Sequence, residues 1–555
     1  MMNTEYKRWL ELADDEAIAG ELAEMGGSPE RIEDAFYRAL EFGTGGLRGT
    51  LGAGTNRMNI YTVGRASLGL AEYVVRSGGE SVAIGYDTRI NSRLFAERAA
   101  AIFAARGLSV HMYREPLPTP MLSYAVRALG CAAGIMITAS HNPKEYNGYK
   151  VYGADGCQIT DAAAAAILAE IESRDYFECP GLTPFGALIE SGAVSYIADS
   201  VTDSYVDTVT ATSVLFGDFA DRTVKIVYTN LNGTGRVPVL RILEKNGFSG
   251  VITVTEQSAH DGEFPTCPYP NPELPEALTL GLEYARREGA ELLLATDPDC
   301  DRVGVAVRRD GDYKILTGNE VGLLLLDFIA EQKTKQGKMP AAPVAVKTIV
   351  TTELARKIAD KYGIHIVDVL TGFKYIGEQI GELEARGEAE RYLFGFEESC
   401  GYLGGAYVRD KDGVYASLLV AELAAYLKAR GESLASRLDA IYSEHGYAKN
   451  SLYSYAFGGA EGFAKMQSIM ERLRGGITDL ADLKVREVED YEKGIKGLPV
   501  SNVLRFFLEG DCSLVVRPSG TEPKLKIYIS VTAEDEETAT ELTAKVRSAV
   551  EKYLA

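Results

Sequence analysis

Positive charge is in short supply in this chain: 58 Lys and Arg stand against 79 Asp and Glu, a formal net charge of −21 over 555 residues. That balance argues against nucleic acid or anionic membranes as partners. It also obliges any anionic substrate to be drawn in by a local positive patch against the global field. No apolar run reaches the length needed to cross a bilayer, and the start MMNTEYKRWLELADDE lacks the basic head and apolar middle of a signal peptide. The seven cysteines, Cys131, Cys157, Cys179, Cys267, Cys300, Cys400 and Cys512, are odd in number, scattered and without C-x-x-C spacing. Neither a disulfide framework nor a zinc site is expected from them, and a reducing, cytoplasmic location fits. Also absent is the G-x-S-x-G elbow of the α/β hydrolases.

What is present is an ample core and a recurrent order. Hydrophobic residues make up 46% of the chain and charged residues 25%, a composition typical of globular domains, and at about 150 residues per domain the length predicts about four domains. Strand and helix patterns alternate in three blocks. The first runs from VAIGYD to IMITAS, the second from TVKIVYTN to ELLLATD, and the third from NEVGLLLLDFIAEQ to RYLFGF and a long helix after Asp412. Such alternation predicts mixed or parallel sheets covered by helices. From about Lys449 the tail changes to a strand, a helix, several strands with a corner at Gly510-Asp511, and the helical EDEETATELTAKVRSAVEKYL. The expected fold class is α/β: three consecutive α/β domains with mixed sheets (1–205, 206–318, 319–447) plus a smaller C-terminal α+β domain (448–555).

In each block the chemistry-bearing residues fall just past a strand end, where open α/β sheets hold their ligands. Ser140, in TASHNPKEYNGYK, stands at the mouth of a buried strand, and Asn142-Pro143 turns the chain after it. His141 is expected to diverge from its neighbour and to serve it poorly as a base. By itself the segment reads equally as a phosphate carrier or as a polar turn. In ELLLATDPDCDR, Asp297, Asp299 and Asp301 form a hard-oxygen set suited to Mg²⁺ shared with a phosphoryl group; the alternative is an inert acidic turn. An EF-hand is excluded because Arg302 and Arg308 stand where Gly and Glu are required. An aspartyl-phosphate phosphatase would carry Thr or Val in place of Asp301.

Further on, GFEESCGY offers Glu397 and Ser399 on one side if the strand's alternation continues, a pair suited to vicinal sugar hydroxyls. In RPSGTEPKLKIY, Arg517 can fork onto phosphate oxygens while Ser519, Gly520 and Thr521 cradle an anion; the alternative is an ordinary Pro-Ser-Gly turn.

The four segments, in this order, resemble the α-D-phosphohexomutase superfamily and its phosphoglucomutase/phosphomannomutase members. FGTGGLRG, GTNRMNIYTV, GYDTR, PTP, FPTCPYPNPE, TGFKYI and RDKDGVYA extend the resemblance along essentially the whole chain. It implies the three α/β domains and the C-terminal α+β domain arranged around a central cleft, a phosphoserine at Ser140, one Mg²⁺ per chain held by Asp297, Asp299, Asp301 and the Ser140 phosphate, and a hexose 1,6-bisphosphate as activating primer. Lys150 is the implied general acid or base, with Lys411 a second candidate, and a lysine in that role needs a depressed pKa. Arg48 steadies the phosphoserine, His141 and Arg302 back the site, and Lys144 is a solvated loop residue. Thr371, Gly372, Phe373 and Lys374 belong to the loop that touches the sugar in relatives. The implied activity interconverts glucose 1-phosphate and glucose 6-phosphate, with mannose phosphates a further substrate and phosphopentomutase or hexose-bisphosphate synthase the alternatives. Partners are then small-molecule sugar phosphates, in a monomer or homodimer. Two positions depart from the pattern: Gly401 replaces a histidine of some relatives, and NGTG at Asn232 replaces HGTG.

Overall fold

The computed structural model describes residues 4–43, 45–178, 182–215, 220–457, 459–518 and 524–554. They divide into two compact units. The first comprises Met1–Thr317, Phe373–Tyr392 and Cys400–Ala429, the second Gly318–Gly372, Leu393–Ser399 and Arg430–Ala555.

The first unit holds two mixed sheets. Its seven-stranded sheet runs, in spatial order, Phe42–Gly43, Gly46–Thr50, Tyr146–Gly153, Ala133–Ile137, Ser81–Tyr86, Ser109–Met112 and Val194–Tyr196. The central strands are parallel, and Tyr146–Gly153 turns antiparallel between Ala133–Ile137 and Gly46–Thr50. Ala133–Ile137 is buried along its whole length, as a strand covered by helices on both faces must be. Helices Ile60–Arg76 and Ser92–Ala105 are among those packed around it. The first of these starts at Asn59, whose side chain accepts from the amides of Tyr61 and Thr62 in a capping box.

Three short helices, Thr4–Leu12, Glu16–Met25 and Pro29–Phe36, form a satellite core. There the fully buried Trp9 lies edge-on to Phe36, Tyr61 and Phe177 at 5.3–5.7 Å.

The five-stranded sheet has the order Asp312–Leu316, Val303–Arg309, Leu292–Thr296, Ile226–Thr229, Val251–Thr253. Leu292–Thr296 pairs parallel with Ile226–Thr229 and antiparallel with Val303–Arg309, with Thr296 opposite Val303. The residues from 297 to 302 therefore close a hairpin. Their three aspartates are presented by one tight loop, rather than by a continued strand.

In the second unit, Val344–Thr348 pairs parallel with His365–Val369. The C-terminal sheet is six-stranded, in the order Tyr447–Ala456, Lys524–Ala533, Cys512–Pro518, Leu504–Leu508, Leu483–Asp490, Asp479–Leu480. Its pairings are antiparallel, and the helix Glu536–Glu551 helps close its core. The buried Arg505 joins the two sheets: it contacts Glu353, Asp368 (2.9 Å) and Glu489 (3.8 Å), and the carboxylates of Glu353 and Asp368 are shared with the buried Lys347. No helix among the described residues is long and apolar enough to cross a membrane.

Candidate active site

In the first unit, Ser140 follows the strand Ala133–Ile137 with φ +52°, a left-handed backbone that a non-glycine residue adopts at a cost. Arg89 maintains it. Its buried guanidinium donates to the carbonyls of Ser140, Asn142, Pro143 (2.8 Å) and Tyr146 (3.1 Å), beside Asp87 at 3.4 Å. The serine hydroxyl donates to Asp297 Oδ2 at 2.8 Å. His141 does not diverge: its Nδ1 lies 3.1 Å from Ser140 Oγ, because the left-handed turn brings the two side chains together. Burial, with Arg302 and Arg48 nearby, holds His141 well below the usual imidazole range, so the ring is neutral.

The three aspartates are buried, and one oxygen from each lies within 4.8 Å of the others. Asp297 Oδ1 accepts from the amides of Asp301 and Arg302 at 3.1 and 3.0 Å. Asp299 Oδ2 accepts from Thr119 Oγ1 at 2.8 Å and Lys150 Nζ at 2.9 Å. Asp301 Oδ2 faces both Lys150 (3.4 Å) and Lys411 (3.2 Å). Asp299 Oδ1 and Asp301 Oδ1 are buried without a hydrogen-bond donor. Orphaned carboxylate oxygens converging in a hard-donor cluster fit a divalent cation of the Mg²⁺ type. Burial and the repulsion of Asp299 and Asp301 push Asp297 well above the carboxylate range. Asp299, although equally buried, is held below that range by Lys150.

Lys150 differs from expectation. Burial alone would depress Lys150, but Asp299 and Asp301 outweigh it and raise its pKa, so the ammonium form is favoured. Lys411 Nζ bridges Asp301 and, at 3.0 Å, Asp410 Oδ1, while Asp410 Oδ2 accepts from Tyr152 OH at 2.8 Å. Arg48 is exposed, with Nη1 3.5 Å from Asn142 Oδ1. Arg302 pairs with Glu273. Lys144, 43% exposed, pairs with Glu263 at 2.7 Å, consistent with a surface role.

The loop is buttressed from behind. Thr119 N–H donates to the Asp299 carbonyl at 2.8 Å, and both the amide and hydroxyl of Thr234 donate to the Pro298 carbonyl. Gly233 is required for this contact, since a Cβ there would meet Pro298 Cα at 2.3 Å. Thr119 and Arg89 lie in the PTP and GYDTR segments, which carry the family resemblance without suggesting a role, and Thr234 lies in NGTG, where Asn232 departs from the family pattern. Asp410 and Tyr152 were not singled out at all.

Phe373 and Lys374 open the helix Phe373–Ala385, so they do not lie in a loop. Lys374 is buried against Asp161 at 2.9 Å, and the Phe373 ring faces Lys411 at 5.4 Å.

In the second unit, the strand Tyr392–Glu397 stops at Glu397, and Ser399 lies in the following turn. The alternation expected to align Glu397 with Ser399 therefore does not extend to Ser399. Glu397 Oε1 accepts from Gly372 N–H at 2.9 Å, next to Thr371, and Gly372 has φ +125°, open to glycine alone. Glu398 Oε2 accepts from Thr348 and Thr351 hydroxyls at 3.1 and 3.3 Å. Tyr528 is raised by burial and by Glu398, with Arg517 opposing. Arg517 is thus near the glutamates, and it lies directly across the ladder from Lys526. Ser519, Gly520 and Thr521 lie outside the described residues.

Family models for phosphoglucomutase/phosphomannomutase match in order: alpha/beta/alpha domain I at residues 39–178, domain II at 203–311, domain III at 317–445 and the C-terminal domain at 473–549. A phosphoglucomutase of Staphylococcus haemolyticus is 37% identical over 95% of this chain and 96% of its own. That of Staphylococcus saprophyticus is 36% identical over 91% and 93%. In fold, the chain resembles a putative phosphomannomutase from Thermus thermophilus (24% identity, TM-score 0.69, covering 93% of this chain and 99% of that one). It also resembles the Paramecium phosphoprotein pp63/parafusin (18% identity, TM-score 0.65, 93% and 95%). With all four domain models matched in sequence and close relatives aligned nearly end to end, this chain belongs to the phosphoglucomutase/phosphomannomutase family of isomerases.

Proposed function

We propose that the protein interconverts glucose 1-phosphate and glucose 6-phosphate through a phosphoserine at Ser140 and a bound hexose bisphosphate. The observation that carries this is the Ser140 hydroxyl on Asp297, beside two orphaned carboxylate oxygens and the paired Lys150. Phospho-Ser140 gives its phosphoryl to the free hydroxyl of a hexose monophosphate; the P–Oγ bond breaks as the new P–O bond forms. The bisphosphate then turns over, and its other phosphate returns to Ser140. Asp297, Asp299, Asp301 and the Ser140 phosphate would hold one Mg²⁺, which would supply positive charge against the phosphoryl oxygens.

Lys150, favoured as ammonium, gives a proton to Ser140 Oγ as the P–Oγ bond breaks and takes up the proton that the accepting sugar hydroxyl releases, with Lys411 the second candidate; the return transfer moves the protons the opposite way. Arg48, exposed beside the loop, steadies the phosphoserine, and Arg302 backs the aspartates. Glu397 and Ser399 take sugar hydroxyls, and Thr371, Gly372 and Lys374 are assigned to the same ligand. Arg517, with Ser519, Gly520 and Thr521, grips the phosphate that is not being transferred, and Lys526 adds a second cation there. The domains run 1–205, 206–318, 319–447 and 448–555; the enzyme is cytoplasmic, a monomer or homodimer, and uses hexose 1,6-bisphosphate as primer.

A matched assay with glucose, mannose and ribose 1-phosphates, Mg²⁺ and a trace of bisphosphate tests this reading. Glucose 1-phosphate is expected to give the highest kcat/KM. Preference for ribose 1-phosphate would make the protein a phosphopentomutase, accumulation of bisphosphate a synthase, and release of free phosphate a hydrolase.

A further inference from the structure

Behind the aspartate loop lies a cavity whose lining includes none of the side chains assigned above to catalysis, metal or substrate. It is a half-open cleft of about 610 Å³, within the range that holds small-molecule ligands, and Arg114, Glu115 and Val237 of its lining are exposed. Tyr113, Leu117, Met121, Tyr196, Val206 and Pro238 give it apolar and aromatic walls. Arg114 also lines it, with its guanidinium 4.6 Å from the centre of the Tyr196 ring. Arg241 is paired with Asp203, whereas no ion pair engages Arg114 among the described residues. In so acidic a chain, an arginine stacked on a ring and lacking a carboxylate offers its charge to a ligand. Glu115 and Asp199 are in the lining too, which disfavours a multiply charged anion and leaves a monoanion as the best match.

The walls lead to the metal loop. Pro118 and Thr234 line the cavity. Thr119, next in the chain, hydrogen-bonds Asp299 through both its amide and its hydroxyl at 2.8 Å, and Thr234 hydrogen-bonds the Pro298 carbonyl twice. Both sides of the pocket are thus tied directly to the loop that carries the aspartates.

The geometry points to an effector site: a flat, apolar-bodied small molecule with one negative charge binds in this cavity, and its occupancy is transmitted to the aspartate loop through Thr119 and Thr234. The transmission rests on the metal role proposed for the aspartates, whereas the binding does not.

The probe is 8-anilinonaphthalene-1-sulfonate, whose fluorescence rises in apolar surroundings, with its uncharged analogue N-phenyl-1-naphthylamine as comparator. The full-length protein should bind one equivalent of the sulfonate saturably, at least about fivefold more tightly than the neutral dye. Arg114→Ala should erase that preference, and Thr202→Trp, which fills the cavity from the helix Asp199–Ala211, should abolish saturable binding. Thr202→Ser should retain it, separating occlusion from misfolding. Equal binding of the two dyes, or binding unchanged in Arg114→Ala and Thr202→Trp, would overturn the site. Calorimetric titration with Mg²⁺ should then show an affinity at least about twofold different when the sulfonate is saturating; an unchanged affinity would overturn the transmission. Absence of Mg²⁺ binding in either state would count against the metal reading, while the dye titrations judge the cavity by themselves.

Discussion

The Ser140 hydroxyl donates to the Asp297 carboxylate at 2.8 Å, across 157 residues of sequence. One end of this bond is a left-handed turn after a parallel strand, the other a hairpin loop of a different sheet. Their contact converts a polar turn and an acidic turn into one chemical site. Removing the serine oxygen tests that site most directly. Ser140→Ala should abolish turnover, and intact-mass measurement should show a phosphate adduct on active protein that the variant lacks. Wild-type turnover in the variant would refute the phosphoserine.

The orphaned oxygens of Asp299 and Asp301 predict metal dependence. Chelation should stop turnover, and Mg²⁺ should restore it. Asp299→Asn keeps the shape of the side chain but removes its charge and should weaken Mg²⁺ binding at least about tenfold, as loss of a charged ligand from a hard-cation site implies, with the circular dichroism spectrum unchanged. Full activity in excess chelator would end the claim.

Arg89 and Asp87 form a buried pair, both side chains 0% exposed, so Arg89→Met strands a buried carboxylate and frees the carbonyls of the serine loop. The variant should lose about 3 to 5 kcal/mol of stability in denaturant unfolding. The double variant Arg89→Met/Asp87→Asn should recover part of that loss while kcat stays low, because the clamp on Ser140 is still missing. Recovery of kcat together with stability would show that Arg89 serves the fold alone.

Arg517→Ala should cost about 1.5 to 3 kcal/mol of substrate binding, the value of a charge-assisted fork on phosphate. Ser140 phosphorylation should be less affected. Arg517→Lys should rescue only in part, since a point charge cannot reproduce the planar fork. Unchanged kcat/KM for both glucose 1-phosphate and glucose 6-phosphate would remove Arg517 from the site.

Glu422 provides a pH prediction. Buried on the helix Gly413–Lys428, it accepts from the Ser213 hydroxyl and the Val214 amide, and burial pushes its pKa up to about 7 from 4.5. The folded state therefore holds a proton that the unfolded state releases first. Its stabilising effect is full below pH 4.5 and is lost as pH rises through about 7. The shift corresponds to about 3 kcal/mol. Stability measured in urea from pH 5 to 8 should fall more steeply for the wild type than for Glu422→Gln. Parallel slopes would show that Glu422 is ionised in the folded protein throughout.

Much of the site was legible in the sequence because residue type and strand-end position restrict chemistry. A serine after an apolar run and three closely spaced aspartates could be found by pattern alone. Relations that depend on backbone conformation were not legible. His141 was expected to point away from Ser140, and only the left-handed φ of Ser140 shows why it does not. Ser399 was placed beside Glu397 on the assumption that the strand continued, but the strand stops at Glu397. A lysine serving as acid or base needs a depressed pKa, and the two aspartates beside Lys150 raise it instead.

The sequence by itself determined the α/β class, the positions of the four chemistry-bearing segments and the family, because periodicity, turn residues and motif order are local or linear properties. Only the tertiary structure decided which oxygens were left without donors, that Arg89 clamps the serine loop, that Thr119 and Thr234 brace the aspartates, and that Asp410 and Tyr152 anchor Lys411. Each of these is a contact between residues distant in the chain. Its energy depends on burial and on competing partners, and neither exists before the sheets are assembled.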